Sequence, residues 1–110
     1  MISLHVYLTP EPGKFAELED AVVNRWMKAM VEQPGFISAA MLKPFDEQHL
    51  AKLEAAVPEH YLEVVAFWKS EEERLAWVAR PIHDKVFEYV LSVTSQISHT
   101  LKTGEQSWNI

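Results

Sequence analysis

The chain has 110 residues, 48% hydrophobic and 24% charged, which predicts one globular domain over residues 1–110 and excludes disordered and low-complexity proteins. Sixteen acidic against ten basic residues give a net charge of −6, which argues against nucleic acid and anionic membranes as partners. Cysteine is absent, so disulfides, thiolate metal sites and cysteine nucleophiles are excluded.

The beginning of the chain carries no basic segment followed by an apolar one. No apolar run approaches the ~20 residues that a membrane-spanning helix needs. From these two observations we expect a cytoplasmic protein with no membrane partner.

Alternating apolar residues predict a first strand over residues 2–9, which the prolines and glycine at 10–13 end. Residues 14–33 carry apolar side chains three and four positions apart, which predicts an amphipathic helix. Pro34 and Gly35 end this helix, and residues 36–42 are the second predicted strand.

Residues 43–60 form an extended polar connection in which about two turns of helix are expected. The third predicted strand, residues 61–69, contains the run Val64-Val65-Ala66-Phe67-Trp68, which is apolar on both alternating faces. A strand exposed to water on one face does not have this pattern. Since the predicted helices cover only one face, we expect a second subunit to cover the other, that is, a homodimer.

Ser70 to Glu73 form a capping box that predicts a helix start, and Pro81 interrupts this helix. The apolar stripe predicts that the helix resumes and runs to about His99. Gly104 then breaks the chain, and the short segment 105–110 is the last predicted strand. The order β-α-β-β-α-β is that of the ferredoxin-like α+β plait, a four-stranded antiparallel sheet with two helices on one face.

Several short segments resemble the antibiotic biosynthesis monooxygenase family. They are the turn Pro10-Glu11-Pro12-Gly13-Lys14, the strand opening Pro34-Gly35-Phe36, the segment Trp68-Lys69-Ser70-Glu71-Glu72, and Trp77. The resemblance implies a dimeric α+β barrel, in which two sheets pack face to face across the dimer.

One branch of that family degrades haem with an Asn on the first strand and an iron-ligating His on the second helix. Here the Asn position falls on Val6 or Tyr7, and the ligand position falls on Val86 or Phe87, neither of which binds iron. His83 lies one turn before the ligand position. The resemblance therefore makes haem degradation the less favoured alternative, and it would require altered ligation through His83.

Another branch oxidises phenols without metal or flavin, by stabilising a phenol anion that reduces dioxygen. Trp68 matches the strand-end Trp of this branch, but Val64 occupies the position of its anion-handling Asn. We therefore predict a cofactor-independent monooxygenase-like protein acting on a small aromatic or quinol-like compound. The proton is assigned to His83, or to His5 with Tyr7, and the pocket walls are assigned to Trp26, Trp68, Trp77, Arg80 and Phe87.

Each of these residues also has a purely structural explanation, as core packing for the aromatic residues and as solvated surface for Arg80 and His83. The histidine and acidic residues of 46–60 follow no metal-ligand spacing, so no metal site is predicted. The alternative function is a non-catalytic dimer of the same fold that binds a small ligand or a partner protein.

Overall fold

A four-stranded antiparallel sheet forms the framework of the protein. The computed structural model of the chain describes residues 1–108. The strands are β1 (Ile2–Pro10), β2 (Phe36–Leu42), β3 (Leu62–Trp68) and β4 (Thr94–Thr103). Their order across the sheet is β2-β3-β1-β4, and each neighbouring pair is antiparallel.

Four helices connect these strands. The first, α1, consists of three consecutive segments, Phe15–Ala21, Val22–Met27 and Lys28–Met30. The others are α2 (Glu47–Lys52), α3 (Glu71–Val78) and α4 (Pro81–Ser92). No helix among residues 1–108 is both long and apolar enough to cross a membrane.

The hydrophobic core lies between the helices and one face of the sheet. On this helix-side face, Leu4, Val6 and Leu8 of β1 are buried beside the β3 residues with which they pair. Leu18 of α1 and Val90 of α4 belong to the same cluster of buried residues. The predicted ferredoxin-like α+β fold is therefore confirmed, with the main helices on one face of the sheet.

The signals that predicted the helix boundaries act as expected. The Ser70 hydroxyl oxygen accepts a hydrogen bond from the Glu73 backbone N–H at 3.2 Å and so caps α3. Pro81 is the first residue of α4, where the missing N–H of proline costs no helical hydrogen bond. Arg80 before it has an extended backbone, and this separates α3 from α4.

The middle segment of α1, Val22–Met27, is π-helical. Leu18, Val22, Trp26 and Met30 follow one another at four-residue steps, and all four are buried. In a regular α-helix each such step turns about 40° past a full revolution, so the last residue would rotate away from the first. The wider π turn offsets this drift and keeps all four side chains towards the core.

The prediction for the end of the chain is wrong. Helix α4 ends at Ser92 rather than near His99, and β4 begins at Thr94. Residues 105–108 form no strand, and the exposed Trp108 lies outside the sheet; residues 109–110 of the predicted strand lie outside the described residues. Threonine and serine disfavour helix after Ser92, and the alternation of residues 96–102 fits a strand better.

The connection between β2 and β3 contains the expected short helix. The Asp46 carboxylate caps α2 by accepting from the His49 backbone N–H at 3.0 Å. At the two ends of the connection, Lys43 and Tyr61 both donate hydrogen bonds to the carboxylate of Glu19, at 3.0 and 2.8 Å. These contacts tie the connection to α1.

Candidate functional site

An apolar cavity of about 420 Å³ lies between the helix-side face of the sheet and helices α1, α3 and α4. This volume is within the range of pockets that bind small organic ligands. Four residues of strands β1 and β4 line its floor, and eight helical residues line its walls. They are Leu4, Val6, Ile97 and His99 from the strands, and Trp26, Met30, Arg74, Trp77, Val78, His83, Phe87 and Leu91 from the helices.

Four aromatic rings pack against one another in the cavity wall. The imidazole of His83 lies edge-on to Trp77, with ring centroids 5.1 Å apart, and is stacked on Phe87 at 5.5 Å. Phe87 in turn packs on Trp26 at 5.2 Å. Because each ring restricts its neighbours, this cluster presents flat, ordered surfaces to a planar ligand.

The imidazole of His83 is oriented by a carboxylate on the adjacent residue. Its Nδ1 atom lies 3.2 Å from Oδ1 of Asp84, and the side chain of His83 is only 15% exposed while that of Asp84 is 87% exposed. A carboxylate only accepts hydrogen bonds, so this contact favours the neutral tautomer with hydrogen on Nδ1. In that tautomer Nε2 is a hydrogen-bond acceptor and can take up a proton.

Two further basic residues line the cavity, and sequence reasoning missed both. Arg74 on α3 makes an ion pair with Glu71 one turn earlier. His99 on β4 is the register partner of Val6 and therefore faces the helices. The alternation of residues 96–102 is the sequence signal that places His99 on a strand, but the apolar spacing that continues from α4 to Ile97 predicts a helix over the same residues.

The structure separates His5 and Tyr7 from this cavity. Both lie on the opposite, open face of the sheet, because side chains alternate along β1 and the even-numbered residues face the core. Nδ1 of His5 donates a hydrogen bond to Glu63 Oε2 at 3.1 Å, and its Nε2 is hydrogen-bonded with Ser3 Oγ at 2.9 Å. Tyr7 packs on His60 at 4.7 Å and lines an open groove of about 870 Å³ on that face.

Trp68 and Arg80 also lie outside the cavity lining. Trp68 is fully buried in the core and packs edge-on against Phe36, with ring centroids 5.6 Å apart. Arg80 donates a hydrogen bond to the side chain of Gln33 before α4 begins. Of the residues expected in one pocket, the structure therefore brings together Trp26, Trp77, His83 and Phe87.

The described part of the chain contains no cluster of side chains that could bind a metal ion. Among residues 1–108, no three histidine, aspartate or glutamate side chains are close enough together to hold a metal ion. The ionisable side chains that line the cavity are two imidazoles and one guanidinium, and no carboxylate lines it.

Several solved structures have the same fold as this chain at low sequence identity. The chain is similar to the cofactor-independent oxygenase SnoaB from Streptomyces nogalater, in a mutant form, with 18% identity, a TM-score of 0.76, and coverage of 96% of this chain and 94% of that one. It is similar to Rv0793 from Mycobacterium tuberculosis, with 10% identity, a TM-score of 0.74 and coverage of 98% of each chain.

A third similar structure is described as a dimeric ferredoxin-like protein from Thermobifida fusca, with 13% identity, a TM-score of 0.70, and coverage of 92% of this chain and 88% of that one. None of the curated proteins compared with the chain matches it. The sequence model of one family, antibiotic biosynthesis monooxygenase, matches residues 1–89, which is most of the chain. The protein therefore belongs to the antibiotic biosynthesis monooxygenase family.

Proposed function

We propose that the protein is a cofactor-independent monooxygenase that oxidises a small phenolic or quinol-like aromatic compound in the 420 Å³ cavity. The observation that carries this proposal is the position of His83, an imidazole oriented by Asp84 and set between the aromatic rings of Trp77 and Phe87 in the cavity wall. Membership of the monooxygenase family and similarity to a cofactor-independent oxygenase support the same reaction class.

In this proposal, Nε2 of His83 accepts the proton of the bound phenol. The aromatic walls formed by Trp77 and Phe87 hold the ring flat and keep water away from the anion. A ring nitrogen of an imidazole can accept a proton and donate it again, which suits His83 to taking a proton from a phenol and returning it later.

The reaction needs no external reductant. The phenol anion supplies the electrons that reduce dioxygen, one oxygen atom bonds to a ring carbon and becomes a carbonyl oxygen, and the other leaves as water. Both hydrogens of that water come from the substrate, one from the hydroxyl and one from the oxidised carbon. The oxidation of the phenol to the quinone therefore balances the reduction of dioxygen.

We further propose that two copies of the chain pair through the open faces of their sheets. Phe67 of β3 is apolar, only partly buried, and lies on this face, whereas Val65 on the same face is already buried within the chain. Burying Phe67 against a second sheet removes apolar surface from water, and sheets pack face to face at about 10 Å. One of the similar structures is described as dimeric, which supports this arrangement.

Oxygen uptake tests the proposed activity. Chelator-treated protein is mixed with hydroxynaphthalenes and anthrones, and oxygen consumption is measured above the autoxidation in buffer alone. We expect turnover by the wild type and a loss of about 100-fold or more in kcat for His83→Ala, the usual contribution of a general base. The matched control is His49→Ala, which removes an exposed histidine on α2 far along the chain from the cavity residues.

A second arm separates proton transfer from structural damage. Phenols of lower pKa give up their proton more easily, so the loss in His83→Ala should shrink as substrates become more acidic. Unchanged turnover in both His83→Ala and Trp77→Ala would overturn the site assignment. Tight binding of these compounds without any oxygen uptake would instead support the non-catalytic, ligand-binding alternative.

A further inference from the structure

Arg74 brings a positive charge to the wall of the 420 Å³ cavity. Its side chain is only 14% exposed, and among the described residues its guanidinium makes one ion pair, from Nε to the carboxylate of Glu71. The two terminal nitrogens, Nη1 and Nη2, donate no hydrogen bond to any residue of 1–108. Most of the hydrogen-bonding capacity of this guanidinium is therefore unused within the described chain.

The two terminal nitrogens of Arg74 reach accessible space. Within residues 1–108, the buried side-chain nitrogen and oxygen atoms that lack a partner are Nε1 of Trp26 and Nε1 of Trp68. Nη1 and Nη2 are not among them, and the cavity is a space that the Arg74 side chain borders. Because a guanidinium presents its donors in a planar fork, the terminal end can bind a second carboxylate while Nε holds Glu71.

The charges around the cavity favour an anion. The ionisable groups that line it are Arg74, His83 and His99, and no carboxylate lines it, although the whole chain has a net charge of −6. The carboxylate of Glu71 lies outside the lining and is 43% exposed, so water screens its charge. An anion inside the apolar cavity would meet Arg74 in a less polar environment, where opposite charges attract more strongly.

Arg74 lies beside the aromatic wall of the cavity. It precedes Trp77 by three residues on α3, and residues three apart are neighbours on one face of a helix. Trp77 in turn packs edge-on against His83, with ring centroids 5.1 Å apart. A flat ring that contacts this wall can direct one substituent towards His83 and another towards Arg74.

We propose that the aromatic substrate carries a carboxylate, which Nη1 and Nη2 of Arg74 bind. Arg74 is thereby a specificity-determining residue that selects aromatic hydroxy acids over neutral phenols of the same shape, because two charge-assisted hydrogen bonds are stronger than neutral ones. This inference rests on the proposed function, since it takes the 420 Å³ cavity as the substrate site and His83 as the group that faces the hydroxyl.

Binding of two matched naphthols tests the proposal without turnover. 6-Hydroxy-2-naphthoic acid and 6-hydroxy-2-naphthamide have the same rings and hydroxyl, and at neutral pH only the acid is charged. Their dissociation constants are measured by isothermal titration calorimetry without oxygen. We expect the wild type to bind the acid about tenfold more tightly than the amide, and Arg74→Gln to weaken the acid about tenfold while changing the amide less than about threefold.

Arg25→Gln is the matched control, because it removes the same charge from an exposed site on α1. The Arg25 guanidinium lies over the ring of Tyr89, 4.0 Å from its centroid, and outside the cavity lining. We expect this variant to keep the wild-type ratio of the two dissociation constants. An equal loss of acid binding in Arg25→Gln and Arg74→Gln would show that only the overall charge matters, and would overturn the inference.

A double variant removes a second explanation. In Arg74→Gln the carboxylate of Glu71 loses its partner and would itself repel the acid. Combining Glu71→Gln with Arg74→Gln removes this carboxylate, and we expect the preference for the acid to remain lost. A return of the wild-type preference in the double variant would overturn the role of Arg74.

The wild type alone decides the question if Arg74→Gln folds poorly. Equal affinity for the acid and the amide contradicts the inference. Oxygen uptake that is as fast with the amide as with the acid also contradicts it, and leaves the proposed monooxygenase in place. Selective binding of the acid without oxygen uptake contradicts only the proposed oxidation. If neither compound binds, the cavity is not the substrate site, and both proposals fall together.

Discussion

The imidazole of His83 stacks on the ring of Phe87, four residues further along α4, with ring centroids 5.5 Å apart and an angle of 26° between the planes. Residues four apart on a helix are neighbours on its surface, so the backbone itself sets this contact. The edge of Trp77 approaches the same imidazole from α3. His83 is therefore held by two aromatic rings as well as by Asp84.

Removal of the Phe87 ring should loosen this orientation. For Phe87→Leu we expect a fall of about threefold to tenfold in kcat, since an aromatic pair contributes about 0.5–1.5 kcal/mol. Leu91→Ala is the control, because Leu91 lines the cavity one turn further along α4. It should weaken substrate binding and leave kcat close to the wild-type value. Equal effects of the two variants on kcat would contradict a positioning role for Phe87.

Local signals predicted most of the fold, whereas the site required the tertiary structure. Pro34 with Gly35, the Ser70 cap and Pro81 act within a few residues of the boundaries that they set, so they were readable from the sequence. Alternation along β1 correctly indicated that His5 and Tyr7 share a face. The alternation did not indicate which face of β1 the helices cover. The structure shows that the helices cover the face opposite to His5 and Tyr7.

The end of the chain illustrates a second limit of sequence reasoning. Val93 and Ile97 continue the helical spacing of α4, but Ile97 also alternates with its neighbours as in a strand. Short apolar patterns of this kind fit both periods. Pairing with β1 decides for the strand, because Ile97 lies opposite Leu8 and His99 opposite Val6. The residues of these two pairs are 89 and 93 positions apart in the sequence, and the pairing is what brings His99 to the cavity.

Gly35 is the glycine whose replacement should be most harmful. Its φ is +88°, and a Cβ atom there would lie 2.6 Å from Cβ of Glu73, a contact that no rotamer of Glu73 relieves. Gly13 has a similar φ of +77° but open space around it. We expect Gly13→Ala to cost about 1 kcal/mol of unfolding free energy and Gly35→Ala about 2 kcal/mol or more, measured by urea denaturation. Equal losses would mean that the approach of Glu73 is unimportant.

Val64 occupies the position where the resemblance to the phenol-oxidising branch would place an Asn. The side chain is fully buried in the middle of β3 and belongs to the core. Val64→Asn should therefore destabilise the protein by about 2 kcal/mol, because it buries an amide among apolar residues. Val64→Thr has nearly the same shape, buries only a hydroxyl and should cost about 1 kcal/mol. A neutral Val64→Asn would show that this part of the core already offers the amide a partner.

The proposed dimer gives a prediction for the open face of the sheet. Phe67→Glu introduces a charge on this face and should shift the protein towards the monomer, because the carboxylate would have to be buried between two sheets. Leu75→Glu introduces the same charge at an exposed position on α3 and should leave the protein as much a dimer as the wild type. Sedimentation velocity over a range of concentrations measures both variants. A wild-type protein that is monomeric throughout would contradict the proposed pairing.

The contact between α1 and the start of β3 predicts how stability depends on pH. The hydrogen bond from the Tyr61 hydroxyl, followed by the one from Lys43, lowers the pKa of Glu19 below its ordinary value of 4.5. The hydrogen bond to Glu19 in turn raises the pKa of Tyr61 above 10.0. A lowered carboxyl pKa stabilises the folded state above about pH 4.5, and this contribution is lost as the pH falls through the lowered value. A raised tyrosine pKa stabilises below about pH 10, and this contribution is lost as the pH rises through the raised value.

Wild type and Glu19→Gln should therefore differ in stability on a plateau between about pH 5 and pH 10, and the difference should vanish in strong acid, where Glu19 is protonated. We expect a plateau of about 0.5 kcal/mol, because water screens these surface groups. Thermal unfolding across this pH range measures the difference. The Tyr61→Phe variant keeps the edge-on packing of the ring against Phe15, 4.6 Å between centroids, and removes only the hydroxyl. In that background the effect of Glu19→Gln should shrink, whereas an unchanged effect would show that Tyr61 does not stabilise the Glu19 carboxylate.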